Sequence, residues 1–224
     1  MTQMIEPPKN SIVRPYEPGD RAAVLRIAAD TAFFGEPVEA FLEDRRLLAD
    51  AFCAYYTDIE PEHAWVACAD GQVVGYLLGS LDTRAQRRRW RQKVLARVAW
   101  RALREHYRLG RLTACYVSAH AQGLVRGEFP HVDLATYPAH LHINVETPWR
   151  GRGLGRRLIE AFLAQARAVG VVGVHLETTS QNVAACRLYE RLGFRLLEAR
   201  PTRLWAGLVA GPVENRCYGL VLHV

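Results

Sequence analysis

Apolar and polar positions change period several times along the chain, and each change predicts an element. Residues 11–14 carry a short strand signal. Pro18-Gly19-Asp20 supplies a turn and a helix cap ahead of Ala23, Leu25, Ile27 and Ala28, which recur at helical spacing. A second helical stretch covers 37–56. Two β-rich runs, 64–68 and 73–78, are joined through Asp70-Gly71, which predicts an antiparallel hairpin. From 84 to 109 the pattern is helical again, with Arg97, Arg101, Arg104 and Arg108 along one face and Trp90, Val94, Val98 and Ala102 on another. An irregular stretch then runs to Pro138. Leu141, Ile143 and Val145 alternate with His142 and Asn144 in a strand; a helix over 153–169 closes at Gly170, and 171–178 reads as the next strand. This order, strand, glycine-rich turn, helix, strand, predicts a parallel pair with a right-handed crossover. A helix over 182–192 stopped by Gly193, and strands near 194–198 and 216–224, complete the pattern. No repeat or low-complexity linker divides the chain, so one α/β domain over 1–224 is expected, with 1–10 as a flexible lead-in.

The 224 residues, 50% of them hydrophobic, suffice for a core that needs neither disulfides nor metals. No run approaches the ~18 uncharged apolar residues of a membrane span, and residues 1–8 lack the basic and apolar regions of an export signal. The five cysteines include no C-x-x-C pair and read as small buried hydrophobes of a reducing compartment. A cytoplasmic protein with no membrane partner is expected. Charge is uneven. Residues 83–111 hold ten arginines and Lys93 against Glu105, a balance of +10, so with a total of +6 the rest of the chain carries −4. A solvated helix face is the ordinary reading of that run. Contact with nucleic acid would explain the charge but not the glycine turn that follows.

That turn, Arg150-Gly151-Arg152-Gly153-Leu154-Gly155-Arg156-Arg157, lies between a strand and a helix. Glycines let the backbone approach a ligand, and the free N–H groups of the first helical turn face an anion with the helix dipole behind them. A pyrophosphate is the natural occupant. The dinucleotide G-x-G-x-x-G pattern and the Gly-Lys-Ser/Thr of a P-loop are both absent.

Residues 141–195 resemble the cofactor-binding core of the GNAT superfamily of acyl-CoA N-acyltransferases. The hallmark R/Q-x-x-G-x-G/A is matched by Arg150, Gly153 and Gly155. A second motif, an asparagine opening the next helix and a tyrosine ahead of Leu-Gly-Phe, is matched by Asn182, Tyr189 and Leu192-Gly193-Phe194. The resemblance implies an acetyl-CoA cofactor and a mixed, mostly antiparallel twisted sheet flanked by helices, with a parallel splayed pair at its fourth and fifth strands. It also implies direct acetyl transfer to a primary amine of a small molecule or protein. On that layout 83–138 is a helical insertion before the fourth strand, which covers or shapes the acceptor site or forms a homodimer contact. Tyr137-Pro138-Ala139-His140-Leu141-His142-Ile143 and the long insertion are similar, more narrowly, to bacterial acetyltransferases related to the acetyltransferase-like domain of animal O-GlcNAcases, which leaves the acceptor undefined.

The resemblance places acetyl-CoA against Ile143, Asn144 and Val145 of the strand, against Arg150, Gly151, Arg152, Gly153, Leu154, Gly155 and Arg156 of the turn, and against Asn182, Ala185 and Tyr189 of the next helix. Tyr189 is then the general acid to the leaving sulfur; alternatively it packs under Phe194 while Asn182 caps its helix. For the base, His142 titrates nearest working pH, with Glu146 and Glu177 at neighbouring strand ends. His140-x-His142 finds no third ligand at convincing spacing, so no metal is expected. The alternative function is a non-catalytic acyl-CoA-binding or interaction module with a degenerate acceptor site.

Overall fold

The computed structural model describes residues 11–222 apart from Glu105. The expected lead-in of 1–10 lies outside the described residues. Seven strands form one sheet in the order β1-β2-β3-β4-β5-β7-β6, where β1 is Ser11–Pro15, β2 Ala64–Ala69, β3 Gln72–Ser80, β4 Ala139–Val145, β5 Gly173–Thr179, β6 Arg195–Thr202 and β7 Val213–Val221. Neighbours pair antiparallel except β4 and β5, which are parallel. The mixed α/β fold is therefore the expected one. The hairpin turns at Asp70-Gly71, both with positive φ, as its sequence dictates.

Helices cover both faces. Residues 139, 141, 143 and 145 alternate with 140, 142 and 144 along β4, so each set points to its own side. On the first side Leu141, with Ile143 and Val145 packed alongside, meets Leu158, Ile159 and Phe162 of α5 (Leu154–Ala168) and Cys186 and Tyr189 of α6 (Val183–Arg191). On the second, α1 (Arg21–Asp30) and a bent α2 over residues 45–58 pack Val24, Ile27, Tyr55 and Tyr56 onto Val66, Tyr76 and Leu78. Burying each such large side chain contributes roughly 1.5–3 kcal/mol. Helix α2 begins at Asp44, whose carboxylate caps it by accepting from Arg46 N–H, and not at 37 as the apolar pattern suggested.

The insertion holds two helices where one was expected. Helix α3 covers residues 83–103, and α4 (Arg111–Arg126) occupies part of the stretch that read as irregular. Only Thr113 and Gly123 of α4 are buried, so no apolar stripe announced it. Its first turn is fastened from outside: Glu43 accepts from the N–H groups of Leu112 and Thr113 and from the Thr113 hydroxyl, which holds the Glu43 carboxyl down at about 2. Gly110 makes room for this, since a Cβ there would lie 2.5 Å from Glu43 Oε1.

The arginine face of α3 is also corrected. Arg101 pairs with Asp50 of α2, which is 6% exposed and accepts from Tyr107 Oη at 2.7 Å, and Arg97 reaches Asp58 at 3.4 Å. Arg104 stacks over Trp100, and Arg108 N–H donates to Asp44. Arg97 and Arg101 dock onto the two aspartates of α2 instead of standing free in water, whereas Arg104 and Arg108 are exposed as expected. Four of the five cysteines are buried, but Cys115 is exposed. Among the described residues no helix is long and apolar enough to cross a membrane.

Candidate active site

β4 and β5 bond only at Ala139 with Val174 and His140 with His175, while β4 stays paired to β3 as far as Val145 and β5 to β7 as far as Thr179. Beyond His140 the two strands part, and a gap opens in the middle of the sheet. Glu146 N–H donates to Val74 O, so alternation turns the peptide groups of His142 and Asn144 toward β3 and those of Ile143 and Val145 into the gap. Val145 O accordingly accepts from Arg150 Nε at 2.9 Å instead of from a strand.

β4 runs through the short turn Thr147–Trp149 into the glycine segment. Gly151 and Gly153 have φ of 75° and 77°, where any other L-residue is strained, and an added Cβ at either would meet nothing within 4 Å. Helix α5 starts at Leu154 above this open cradle, and its first N–H groups lack helical partners. Gly155 lies in that first turn; a Cβ there would come within 3.3 Å of Leu188 of α6. Arg152 stacks on Trp149, Arg156 pairs with Glu160, and Arg157 bonds Ser11 of β1. Arg152 and Arg156 are thus the cations beside the cradle, whereas Arg150 and Arg157 brace the backbone. Open glycines, free helical N–H groups and two arginines fit a diphosphate-bearing cofactor.

On the second side a cavity of about 720 Å³ spans the parting strands, with His140 and His142 from β4 and His175 and Glu177 from β5 on its floor. Residues 83–91 of α3 and Phe52 and Tyr56 of α2 form its walls. His140 is bonded at both ring nitrogens, to Tyr56 Oη and Thr83 Oγ1, each at 2.7 Å, and His175 Nδ1 meets Tyr137 O at 2.9 Å. His142 is half-buried and packs edge-on to Phe52 and Tyr56. Burial, with His175 adding to it, pushes its imidazole down to about 4, so it is neutral at working pH. Glu177 is exposed into the recess, and the surrounding protein raises its carboxyl. These two groups face one space.

Glu146 lies elsewhere. It is ion-paired with Arg26 of α1 and does not line the cavity. Asn144 donates its amide to Tyr76 Oη at 2.9 Å. Tyr189, on the α5 and α6 side, packs against Phe194 and Tyr218, and burial pushes its phenol up so that it keeps its proton. Asn182 stands at the N-cap of α6 without capping it through its side chain, and donates instead to Thr178 Oγ1 at 3.1 Å. Ala185 is half-buried against the core. Tyr56, Arg87 and Trp90 line the cavity although no motif marks them, and His120 joins them from the unforeseen α4.

A model of the acetyltransferase (GNAT) family matches residues 22–194. The crystal structure of SsHAT is 37% identical, with a TM-score of 0.73 over 95% of this chain and 98% of that one. The structure of yncA from Salmonella typhimurium with its cofactor acetyl-CoA shares the fold, at 19% identity and a TM-score of 0.58, over 96% of this chain and 95% of that one. Mycothiol acetyltransferase of Nocardiopsis dassonvillei is 46% identical over 54 residues, 24% of this chain and 16% of that protein. Such curated relatives align over less than half of their own length. Since the family match takes in the splayed strands and the glycine cradle, the chain belongs to the acetyltransferase (GNAT) family of acyltransferases, whose acyl donor is acetyl-CoA.

Proposed function

We propose that this protein is an acetyl-CoA-dependent N-acetyltransferase that transfers acetyl directly to a primary amine seated in the cavity. The observation that carries this reading is the gap between β4 and β5, which has the glycine cradle at the end of β4 and the pair His142 and Glu177 on the cavity floor. Backbone N–H groups of residues 151–156, with Arg152 and Arg156, would hold the cofactor's phosphates, and the Ile143 and Val145 peptide groups its arm. Acetyl-CoA supplies a thioester-activated acetyl group.

An amine arrives as an ammonium ion and must lose a proton before it can attack. The Glu177 carboxylate both attracts the cation and takes the proton, and the neutral His142 offers a second acceptor beside it. An N–H in the gap polarises an acyl carbonyl. Tyr189, protonated at all working pH, can donate to the departing sulfur. A purely acyl-CoA-binding module would have no use for a carboxylate and an imidazole at the mouth of the gap. Five unpaired cysteines support a reducing, cytoplasmic setting, and the exposed Trp100, Leu103 and Leu109 of the insertion support a homodimer contact. The test is an amine screen with purified protein and acetyl-CoA, detecting free CoA thiol. Turnover that falls about 10²- to 10⁴-fold in Glu177→Gln is expected; acetyl-CoA binding without turnover of any amine would favour the binding module.

A further inference from the structure

The cavity has an electrostatic asymmetry that acetyl transfer alone does not require. Its floor carries one acid, Glu177, and its α3 wall carries Arg87 and Arg91. Three cations of that helix have partners: Arg89 reaches Glu60 at 3.7 Å, Arg97 reaches Asp58, and Arg101 reaches Asp50, whereas Arg84, Arg88 and Lys93 are unpaired among the described residues and lie outside the cavity. Among the described residues neither Arg87 nor Arg91 has a carboxylate within salt-bridge reach; both are solvent-exposed and line the mouth of the cavity.

Arg87 acts on that space. Its charge opposes the burial that raises the Glu177 carboxyl, and it disfavours protonation of His140 and His175. Burial above all keeps the histidines of the floor neutral, so the charges that share the cavity are the Glu177 carboxylate and the two guanidinium groups. His120, on the same cavity, has an enclosed Nδ1 with no hydrogen-bond partner among the described residues. The cofactor's phosphates do not account for these cations. The glycine cradle follows the far end of β4, at least ~10 Å from His142 at about 3.3 Å per residue.

From this juxtaposition we infer that the acceptor is a small amine that also carries an anionic group, a carboxylate or a phosphate, held by Arg87 and Arg91 while its amine meets Glu177. A guanidinium binds either anion through charge-assisted, often paired hydrogen bonds, and Trp90 and Phe52 give the linking carbons an apolar wall. The inference rests on the acyl-transfer reading of the site and specifies its substrate class.

The probes are β-alanine, 4-aminobutyrate, L-glutamate and 2-aminoethyl phosphate, each paired with its amide or alcohol, and 1,4-diaminobutane as a cation. Thiol release is followed in the wild type, in Arg87→Gln/Arg91→Gln, and in Arg88→Gln, an exposed neighbour outside the cavity. The same probes are titrated calorimetrically into CoA-saturated protein. At least one anionic member should exceed its neutral partner by roughly 10- to 100-fold in kcat/KM, chiefly through KM. The double variant should erase that preference without changing the KM for acetyl-CoA, and Arg88→Gln should keep it. Carboxylate against phosphate probes identify the anion. Equal or better turnover of neutral or cationic amines overturns the anion site and leaves acyl transfer standing. Arginine-dependent binding of anionic probes without thiol release sustains the anion site and overturns acyl transfer. No binding and no turnover of any anionic probe overturns the inference.

Discussion

Replacing Arg101 with Gln removes the cation that neutralises Asp50, whose side chain is 8% exposed and keeps only Tyr107 Oη at 2.7 Å and Arg97 at 3.8 Å. Stripping the partner from a fully buried carboxylate costs about 3–5 kcal/mol. Arg101 is itself 27% exposed and two other groups still face the acid, so the loss should be about 2 kcal/mol, against 3–5 for full burial. For a domain of this length 1 kcal/mol moves the melting temperature by about 2 °C, which predicts a fall of about 4 °C. Arg104→Gln, whose guanidinium stacks on the exposed Trp100, should change almost nothing. The assay is thermal unfolding of a double-mutant cycle with Asp50→Asn, in which the two changes together should cost about 1 kcal/mol less than their sum. Since α3 also carries Arg87 and Trp90 to the cavity, the acceptor KM should rise while acetyl-CoA affinity stays. Strict additivity in the cycle, or equal effects of Arg101→Gln and Arg104→Gln, would refute the docking of this helix on α2 and restore a freely solvated face.

Gly153→Asp should abolish the rise in melting temperature that acetyl-CoA gives wild type, because the side chain strains a backbone at φ 77° and puts a carboxylate in the cradle; retained micromolar binding by the folded variant would contradict this. Tyr189→Phe should bind acetyl-CoA normally and turn over about 10- to 10⁴-fold more slowly, as expected for a lost general acid. Unchanged rates across pH would remove Tyr189 from the chemistry. His142 is depressed from its ordinary 6.5 to about 4, so the unfolded chain takes up its proton first as pH falls. Stability should therefore be unaffected by this group above pH 6.5, decline by up to about 3 kcal/mol between 6.5 and 4, and level off below. Denaturant titrations of wild type against His142→Gln should show a shallower decline in the variant.

Much of the site was legible because it depends on local rules. Glycines mark the cradle, alternation marks β4, and Asp70-Gly71 marks the β2–β3 hairpin. What stayed hidden depends on partners distant in sequence. Helix α4 is capped by Glu43, 69 residues before Leu112, and shows little apolar periodicity of its own. The inward role of Arg97 and Arg101 is set by Asp58 and Asp50, 39 and 51 residues earlier in the chain, so their own run showed only a solvated face. His142 and Glu177 were visible as candidates. That they share a cavity, whereas Glu146 is taken up by Arg26, follows from where β4 and β5 part and where α1 crosses.

The seam between β4 and β5 also makes the sheet two leaves, β1 to β4 on one side and β5, β7 and β6 on the other, stitched by two residue pairs. Unpaired strand edges ordinarily lie at a sheet's rim, where they invite foreign strands. Here such edges face each other in the interior, and a linear ligand with its own amide groups can lie between them as a surrogate strand. Cofactor occupancy would then act as a clasp between the leaves, and amide hydrogen exchange at Ile143 and Val145 would report it as slow exchange only in the loaded protein.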